Sequence, residues 1–285
     1  MNPSLGRLLD EAARDLSDRV DARLESQILL GHALGVSRAW LAAHGEEFAD
    51  PTAVDVFREL VRRRRGGEPV AYLVGRREFY GLDFRVTPDV LIPRADTETL
   101  IEAALDKLPA NVQADVLDLG TGSGCVAITL AHERPAARFT AVDVSSAALN
   151  VARQNAQAVD VGVEFVHSHW FEALAGRCFD MIISNPPYVA AQDPHLQQGD
   201  LRFEPTPALA SGNDGLADIR QIVTGSPDHL RSGGWLLFEH GYDQAQASRD
   251  LLVDTGFVDV FARVDIAGLS RVAGGRLLTS KSSNR

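Results

Sequence analysis

Two stretches carry side chains whose types and spacing suit chemistry. The first is Asn185-Pro186-Pro187-Tyr188, which follows the apolar run Met181-Ile182-Ile183. Such a run forms a buried strand, and the prolines end it because they have no N–H to give a ladder. A polar side chain is left at the carboxyl end of a strand, where open α/β sheets bind ligands. Asn185 brings a side-chain oxygen, Pro186 and Pro187 bring carbonyls without donors, and Tyr188 brings an aromatic face. Acceptors beside a ring suit a planar substrate with an NH2 group. A proline-punctuated loop with a packed tyrosine accounts equally well for Pro-Pro-Tyr taken alone.

The second stretch is Asp118-Leu119-Gly120-Thr121-Gly122-Ser123-Gly124, a strand running into a glycine-rich turn that opens a helix. Glycines allow close backbone approach, and a helix N-terminus supplies free N–H groups, so a nucleotide-like cofactor fits there. Asp143 closes the next strand, where a carboxylate can accept from both hydroxyls of a ribose. Gly122-x-Gly124-x-x-Ala127 with Asp143 also satisfies a relaxed dinucleotide fingerprint, which keeps a dehydrogenase open. Against it, Asp118 stands where it can hold a cationic amino-acid group, and the Asn-Pro-Pro-Tyr turn has no part in hydride transfer. His167 and His169 bring no further ligands, and no metal is read from them.

The elements that position these residues follow from periodicity. Strands are expected at Asp115–Leu119, Arg138–Asp143, Glu164–His167, Phe179–Ser184, Gly234–Glu239, Phe257–Ala262 and Gly275–Leu278. Helices are expected at Gly124–His132, Ser145–Val159, Leu216–Leu230 and Asp243–Asp254, with Gly225-Ser226-Pro227 interrupting the third. This alternation predicts an α/β fold, a Rossmann-like seven-stranded, mostly parallel sheet with helices on both faces. Between Val189 and Gly215 lies a stretch without a period, of the kind that forms lids and binding loops.

The first part of the chain is helical. Leu5, Leu8, Leu9, Ala12 and Leu16 form one stripe; Leu24, Ile28 and Leu34 a second, closed by Gly35; Ser37 caps a third segment, and Asp50-Pro51 opens a fourth that ends at Gly66-Gly67. Arg62 to Arg65 read as a solvated helix end. Glu78 to Val86 read as a β-hairpin. The expected division is a helical bundle over residues 1–75, a hairpin linker over 76–95 and the sheet domain over 96–285.

Composition bounds the rest. The 285 residues are 45% hydrophobic and carry a net charge of −11, which argues against a surface that grips long duplex nucleic acid. No apolar run approaches the roughly 20 residues needed to cross a bilayer, and the start lacks a signal-peptide pattern, so a cytoplasmic protein is expected. Cys125 and Cys178, the two cysteines, are expected to be small core residues.

The two motifs resemble those of class I S-adenosylmethionine-dependent methyltransferases that modify planar amino groups. With Glu68-Pro69-Val70-Ala71-Tyr72-Leu73, Phe79-Tyr80-Gly81, Ile92-Pro93-Arg94-Ala95-Asp96-Thr97-Glu98, Arg202-Phe203-Glu204-Pro205 and Phe238-Glu239-His240-Gly241, nearly the whole chain resembles the release-factor glutamine methyltransferases. Ala95 stands where that family often has proline. The resemblance implies N5-methylation of the glutamine in the Gly-Gly-Gln motif of peptide-chain release factors, with S-adenosylmethionine consumed and S-adenosylhomocysteine produced. It implies that Asp118 and Gly120 to Gly124 line the cofactor, Asp143 holds its ribose and Trp170 lies near its adenine. It further implies that Asn185 and the Pro186 carbonyl grip the substrate amide, with Pro187 and Tyr188 packing on it. Ribosomal-protein glutamine methylation and adenine-N6 methylation of nucleic acid are the alternatives, because they present similar NH2 groups to the same turn.

Overall fold

The computed structural model describes residues 3–278; residues 279–285 of the expected sheet domain lie outside the described residues. The chain divides into two compact units, one ending at Arg76 and taking in Gln198–Phe203, the other comprising Arg77–Gln197 and the chain from Glu204 onward.

The first unit holds helices α1 (Leu5–Asp15), α2 (Ala22–Leu34), α3 (Arg38–Ala43), α4 (Pro51–Arg65) and α5 (Val70–Val74). Its starts and stops are local chemistry. Ser4, Ser37 and Asp50 cap α1, α3 and α4 by accepting from backbone N–H groups, and Gly35 ends α2 at φ 68°. The stripe Leu5, Leu8, Leu9, Ala12 and Leu16 is buried as expected, whereas in α2 the core residues are Leu29 and Leu30 and Leu24 is exposed. Helix α5 was not anticipated, because five residues after a proline show no period.

Arg64 departs from the solvated helix end read from the sequence. Its guanidinium is buried; Nη2 donates to Glu25 Oε1 at 2.7 Å, Nε to Glu25 Oε2 at 2.8 Å and Nη1 to Asp200 Oδ1 at 2.7 Å. Arg62 and Arg63 pair with Glu59 and Glu68 at the surface. Burial of Arg64 is tolerated because its planar fork is bonded on several sides, and it explains why the short segment Gln198–Phe203 belongs to the helical unit. Arg64→Lys is expected to lower the stability of that unit by about 1–2 kcal/mol, because an ammonium lacks the fork. Faster hydrogen exchange of the α2 and α4 amides is the readout.

From Arg77 onward the second unit holds a hairpin, β1 (Arg76–Phe79) and β2 (Leu82–Arg85), turning at Tyr80-Gly81. It packs within this unit, since Phe79 and Phe84 are buried against Leu100 and Ile101 of α6 (Glu98–Lys107). Then come β3 (Asp115–Leu119), α7 (Cys125–Glu133), β4 (Arg138–Asp143), α8 (Ser146–Val159), β5 (Val163–His167), β6 (Phe179–Ser184), α9 (Ala217–Gly225), β7 (Leu230–Glu239), α10 (Ala245–Asp254), β8 (Val258–Val264) and β9 (Ser270–Arg276). The seven strands order as β5-β4-β3-β6-β7-β9-β8, parallel except that β9 runs antiparallel to both its neighbours.

Alternation along the strands divides the core in two. Val116, Met181, Ile183, Leu237 and Val272 face α6 and α7, while Leu117, Ile182, Leu236, Phe238 and Ala273 face α9 and α10. Several sequence assignments shift, among them β7, which begins at Leu230 rather than Gly234. The last strand is Ser270–Arg276 rather than Gly275–Leu278: Gly274 and Gly275 leave room for the Phe261 and Phe257 side chains, and paired glycines hide a strand's alternation. The expected helix Leu216–Leu230 ends at Gly225, followed by a 3-10 turn over Ser226–Asp228. Cys178 is exposed rather than in the core.

Candidate active site

The parallel register brings the two motifs to one edge of the sheet. Leu119 pairs with Ser184 and Val142, and Ser184 pairs with Phe238. The next residues, Gly120, Asp143, Asn185 and Glu239, therefore emerge side by side at the carboxyl ends of β3, β4, β6 and β7. Ser184 Oγ donates to the Leu119 carbonyl at 2.7 Å and locks β6 to β3 just below this edge.

The glycine loop is built around Gly124, at φ 84°, where a Cβ would come within 2.6 Å of Ile128 Cδ1 and 3.1 Å of Ala152 Cβ. Asp143 fastens the loop: Oδ2 accepts from the Gly122 N–H and Oδ1 from the Ser145 N–H, both at 2.8 Å. Burial raises its carboxyl, opposed by those two N–H groups. Asp118 is buried, accepts from the Thr121 hydroxyl at 2.6 Å, and is pushed by burial up to about 7. Asn155 supports the loop from α8: Nδ2 donates to the Ser123 carbonyl at 2.8 Å while Oδ1 accepts from the Arg85 N–H at 2.8 Å. Sequence reading missed Asn155, although a polar residue in the stripe Ala148, Leu149, Ala152 and Ala156 was a usable signal.

Above these strand ends lies a cavity of about 360 Å³. Its wall contains Asp118, Gly120, Thr121, Gly122, Ser123, Asp143, Trp170, Asn185 and Pro187. Trp170, at φ 46°, is held through its carbonyl by the Ser168 hydroxyl at 2.9 Å and lies beside Gly120, whose Cβ would stand 3.3 Å from the ring. The histidines stand apart from one another's work. His167 Nε2 lies 2.7 Å from the Val144 carbonyl, and His169 Nδ1 lies 3.3 Å from Glu172.

At the turn, Asn185 Nδ2 donates to Thr97 Oγ1 at 3.1 Å. Gly124, Pro186 and Tyr188 are not among the lining residues. The Tyr188 hydroxyl donates to Glu239 Oε1 at 3.0 Å, and its carbonyl accepts from Gln244 Nε2 at 2.9 Å, so the ring is drawn into the core shared with α9 and α10. Pro186 is buried. The bonds of Tyr188 hold the turn in place.

The stretch after the turn supplies another wall. Pro205, Pro207 and Ala208 line the cavity, as do Pro93 and Arg94. Buried Glu204 joins the two loops by accepting from the Ile92 N–H at 3.0 Å and pairing with Arg94. Nothing in sequence spacing links residues so far apart.

A sheet of this order, with a glycine loop, a carboxylate and an Asn-Pro-Pro-Tyr turn at adjacent strand ends, defines a class I methyltransferase. The fold is shared with a methyltransferase from Pyrococcus furiosus, 15% identical, with a TM-score of 0.52 over 77% of this chain and 96% of that one. The family model for the methyltransferase small domain matches residues 96–201, and that for the PrmC N-terminal domain matches residues 7–75. The release factor glutamine methyltransferase of Xylella fastidiosa is 50% identical over 266 residues, 93% of this chain and 95% of its own. That of Bordetella pertussis is 49% identical over 263 residues, 92% of this chain and 97% of its own. The chain belongs to the release factor glutamine methyltransferase family.

Proposed function

We propose that the protein transfers a methyl group from S-adenosylmethionine to N5 of the glutamine in the Gly-Gly-Gln motif of peptide-chain release factors. The observation that carries this reading is the opening of Asn185 onto the same cavity as Asp118, Asp143 and the glycine loop. Kinship at about half identity across both units supports the choice of substrate. A translation-factor substrate also makes the cytoplasm the place of action; among the described residues no helix is long and apolar enough to cross a membrane.

The cavity fits the cofactor in size and chemistry. Its wall sets the carboxylates of Asp118 and Asp143 and the Trp170 ring around the glycine loop, a set that suits a ligand with an ammonium group, hydroxyls and an aromatic base. Gly120 to Gly124 give close backbone approach, Asp143 retains lone pairs for ribose hydroxyls, Trp170 offers its face to the adenine, and Asp118 faces the ammonium group. When bound, S-adenosylmethionine supplies an electrophilic sulfonium methyl.

This chain's contribution is to prepare the acceptor. A carboxamide nitrogen is a weak nucleophile because its lone pair is delocalised into the carbonyl. Asn185, accepting from the substrate NH2, orients that group and stabilises the positive charge that develops on its nitrogen. The Pro186 carbonyl accepts from the same NH2, and Pro187 and Tyr188 pack on the substrate while the Tyr188 hydroxyl and carbonyl anchor the turn. The helical unit, with Gln198–Phe203 built into it, is the region we assign to reading the folded release factor, because a tripeptide alone offers little area for specificity.

Incubation with labelled S-adenosylmethionine and, separately, a release factor, its Gly-Gly-Gln glutamine variant, a ribosomal protein and DNA tests the proposal. Label on the release factor alone, lost with the glutamine, is the expected result. Label on the ribosomal protein or DNA and none on the release factor overturns it.

Asp118 also makes cofactor binding depend on pH. Its carboxyl, at about 7 in the free protein, must ionise to face an ammonium group. Affinity is expected to rise with pH between 6 and 8, by up to about tenfold per unit below 7, with release of a proton. Calorimetry in two buffers of different ionisation enthalpy measures that proton; a buffer-independent heat would remove Asp118 from this role.

A further inference from the structure

The segment that leaves β7 at Glu239-His240-Gly241 leads to a residue that the reaction described above does not use. Gln244 stands just ahead of α10 and commits its whole side-chain amide to backbone groups. Its Oε1 accepts from the Gly241 N–H at 2.9 Å, while Nε2 donates to the Tyr188 carbonyl at 2.9 Å and to the Asp214 carbonyl at 3.4 Å. The Gln244 N–H in turn donates to the Gly241 carbonyl at 2.9 Å, which closes a ring at that end. One side chain thus ties together the segment after β6, the segment after β7 and the turn ahead of α9.

The partners of this clamp settle its polarity. A backbone N–H only donates and a carbonyl only accepts, so the amide satisfies all three in a single orientation. Glycines make the space: a Cβ at Gly241 would stand 3.2 Å from Gln244 Oε1, and one at Gly215 would stand 2.6 Å from Nε2. Just past the clamp the chain is held again, because the Val189 N–H donates to the Leu209 carbonyl at 2.9 Å and the Val189 carbonyl accepts from the Ser211 N–H at 2.8 Å. Toward Asn185 the path is stiff, since Pro186 and Pro187 have fixed φ and each restricts the residue before it. Asn185 is therefore set between two fixed points, Ser184 bonded into the sheet and the Tyr188 carbonyl bonded to Gln244.

We infer that Gln244 is a positioning residue for methyl transfer, which by holding the Tyr188 carbonyl fixes the turn so that Asn185 meets the substrate amide at bonding distance. This rests on the glutamine reading above. The effect belongs to the chemical step, because the loop that receives the cofactor stands on β3 and β4 rather than on the segments that Gln244 ties. A shift of about 1 Å in a group that orients the reactant costs on the order of a hundredfold in rate.

The test compares Gln244→Met and Gln244→Glu in the full chain. Methionine keeps the reach of the side chain and removes its bonds. It is expected to slow single-turnover methylation by about 10- to 100-fold at saturating cofactor, with the cofactor Kd within about twofold, and to speed hydrogen exchange of the Val189 amide. Glutamate keeps the acceptor for Gly241 but sets a second oxygen against two carbonyls, so the introduced carboxyl takes up a proton more readily than a free one. The acids on the tied segments, Asp214, Glu239 and Asp243, act in the same direction, and Arg220 offsets Asp214. Once protonated, the carboxyl regains a donor for the Tyr188 carbonyl. The Gln244→Glu rate, relative to wild type at the same pH and saturating cofactor, is therefore expected to rise severalfold as pH falls from about 8 to about 6. Either a wild-type rate or wild-type exchange in Gln244→Met overturns the inference. So does a loss of cofactor affinity as large as the loss of rate, which marks a general loosening, or a relative Gln244→Glu rate that does not change with pH. Failure of the wild type to methylate any Gly-Gly-Gln protein defeats the proposed reaction, while the exchange measurement separately decides whether Gln244 holds the turn.

Discussion

Asn185→Ala is expected to lower the single-turnover rate of methyl transfer by roughly 5- to 150-fold at saturating cofactor, the loss of about 1–3 kcal/mol of transition-state stabilisation. Asn185 is the polar side chain of the turn that lines the cavity. The bond it makes to the substrate strengthens as nitrogen gains positive charge, so its removal acts on the chemical step more than on binding. Cofactor affinity is expected to stay near wild type, because Asp118, Asp143 and the glycine loop are untouched. A variant that methylates at the wild-type single-turnover rate would remove Asn185 from the mechanism.

Gly215→Ala is expected to destabilise the sheet unit by about 2–5 kcal/mol and to displace the turn that carries Asn185. Gly215 has φ 75°, and a Cβ there would lie 2.2 Å from the Tyr188 carbonyl oxygen and 2.6 Å from Gln244 Nε2. Those two atoms are bonded to each other, so neither can withdraw without breaking the anchor of Tyr188. Gly176→Ala is the control. It has almost the same φ, 74°, but nothing within 4 Å of its would-be Cβ, and is expected to cost only the conformational term of about 1–2 kcal/mol. Urea unfolding of the two variants separates backbone strain from collision; equal losses would refute the collision.

The strands bearing the site were legible because their signals are local. Asp115–Leu119, Arg138–Asp143 and Phe179–Ser184 stand within their expected bounds, each a short apolar run closed by a polar or glycine-rich turn. What was misread lacked a local signal or obeyed a distant one. Paired glycines concealed β9, since side-chain alternation vanishes where a neighbouring aromatic ring fills the space. Arg64 looked like a solvated helix end until Glu25 and Asp200, 39 and 136 residues away, closed around it.

The sequence by itself determined the elements, the two motifs and the class of chemistry, because caps, glycine turns, proline stops and hydrophobic period all act within a few residues. Only the tertiary structure decided which members of those motifs face the cavity. Register brought Asn185 beside Gly120 and Glu239, and a buried carboxylate anchored the Tyr188 hydroxyl. Asn185 donates to Thr97, 88 residues earlier in the chain, and a hydrogen bond at that separation leaves no trace in spacing or composition.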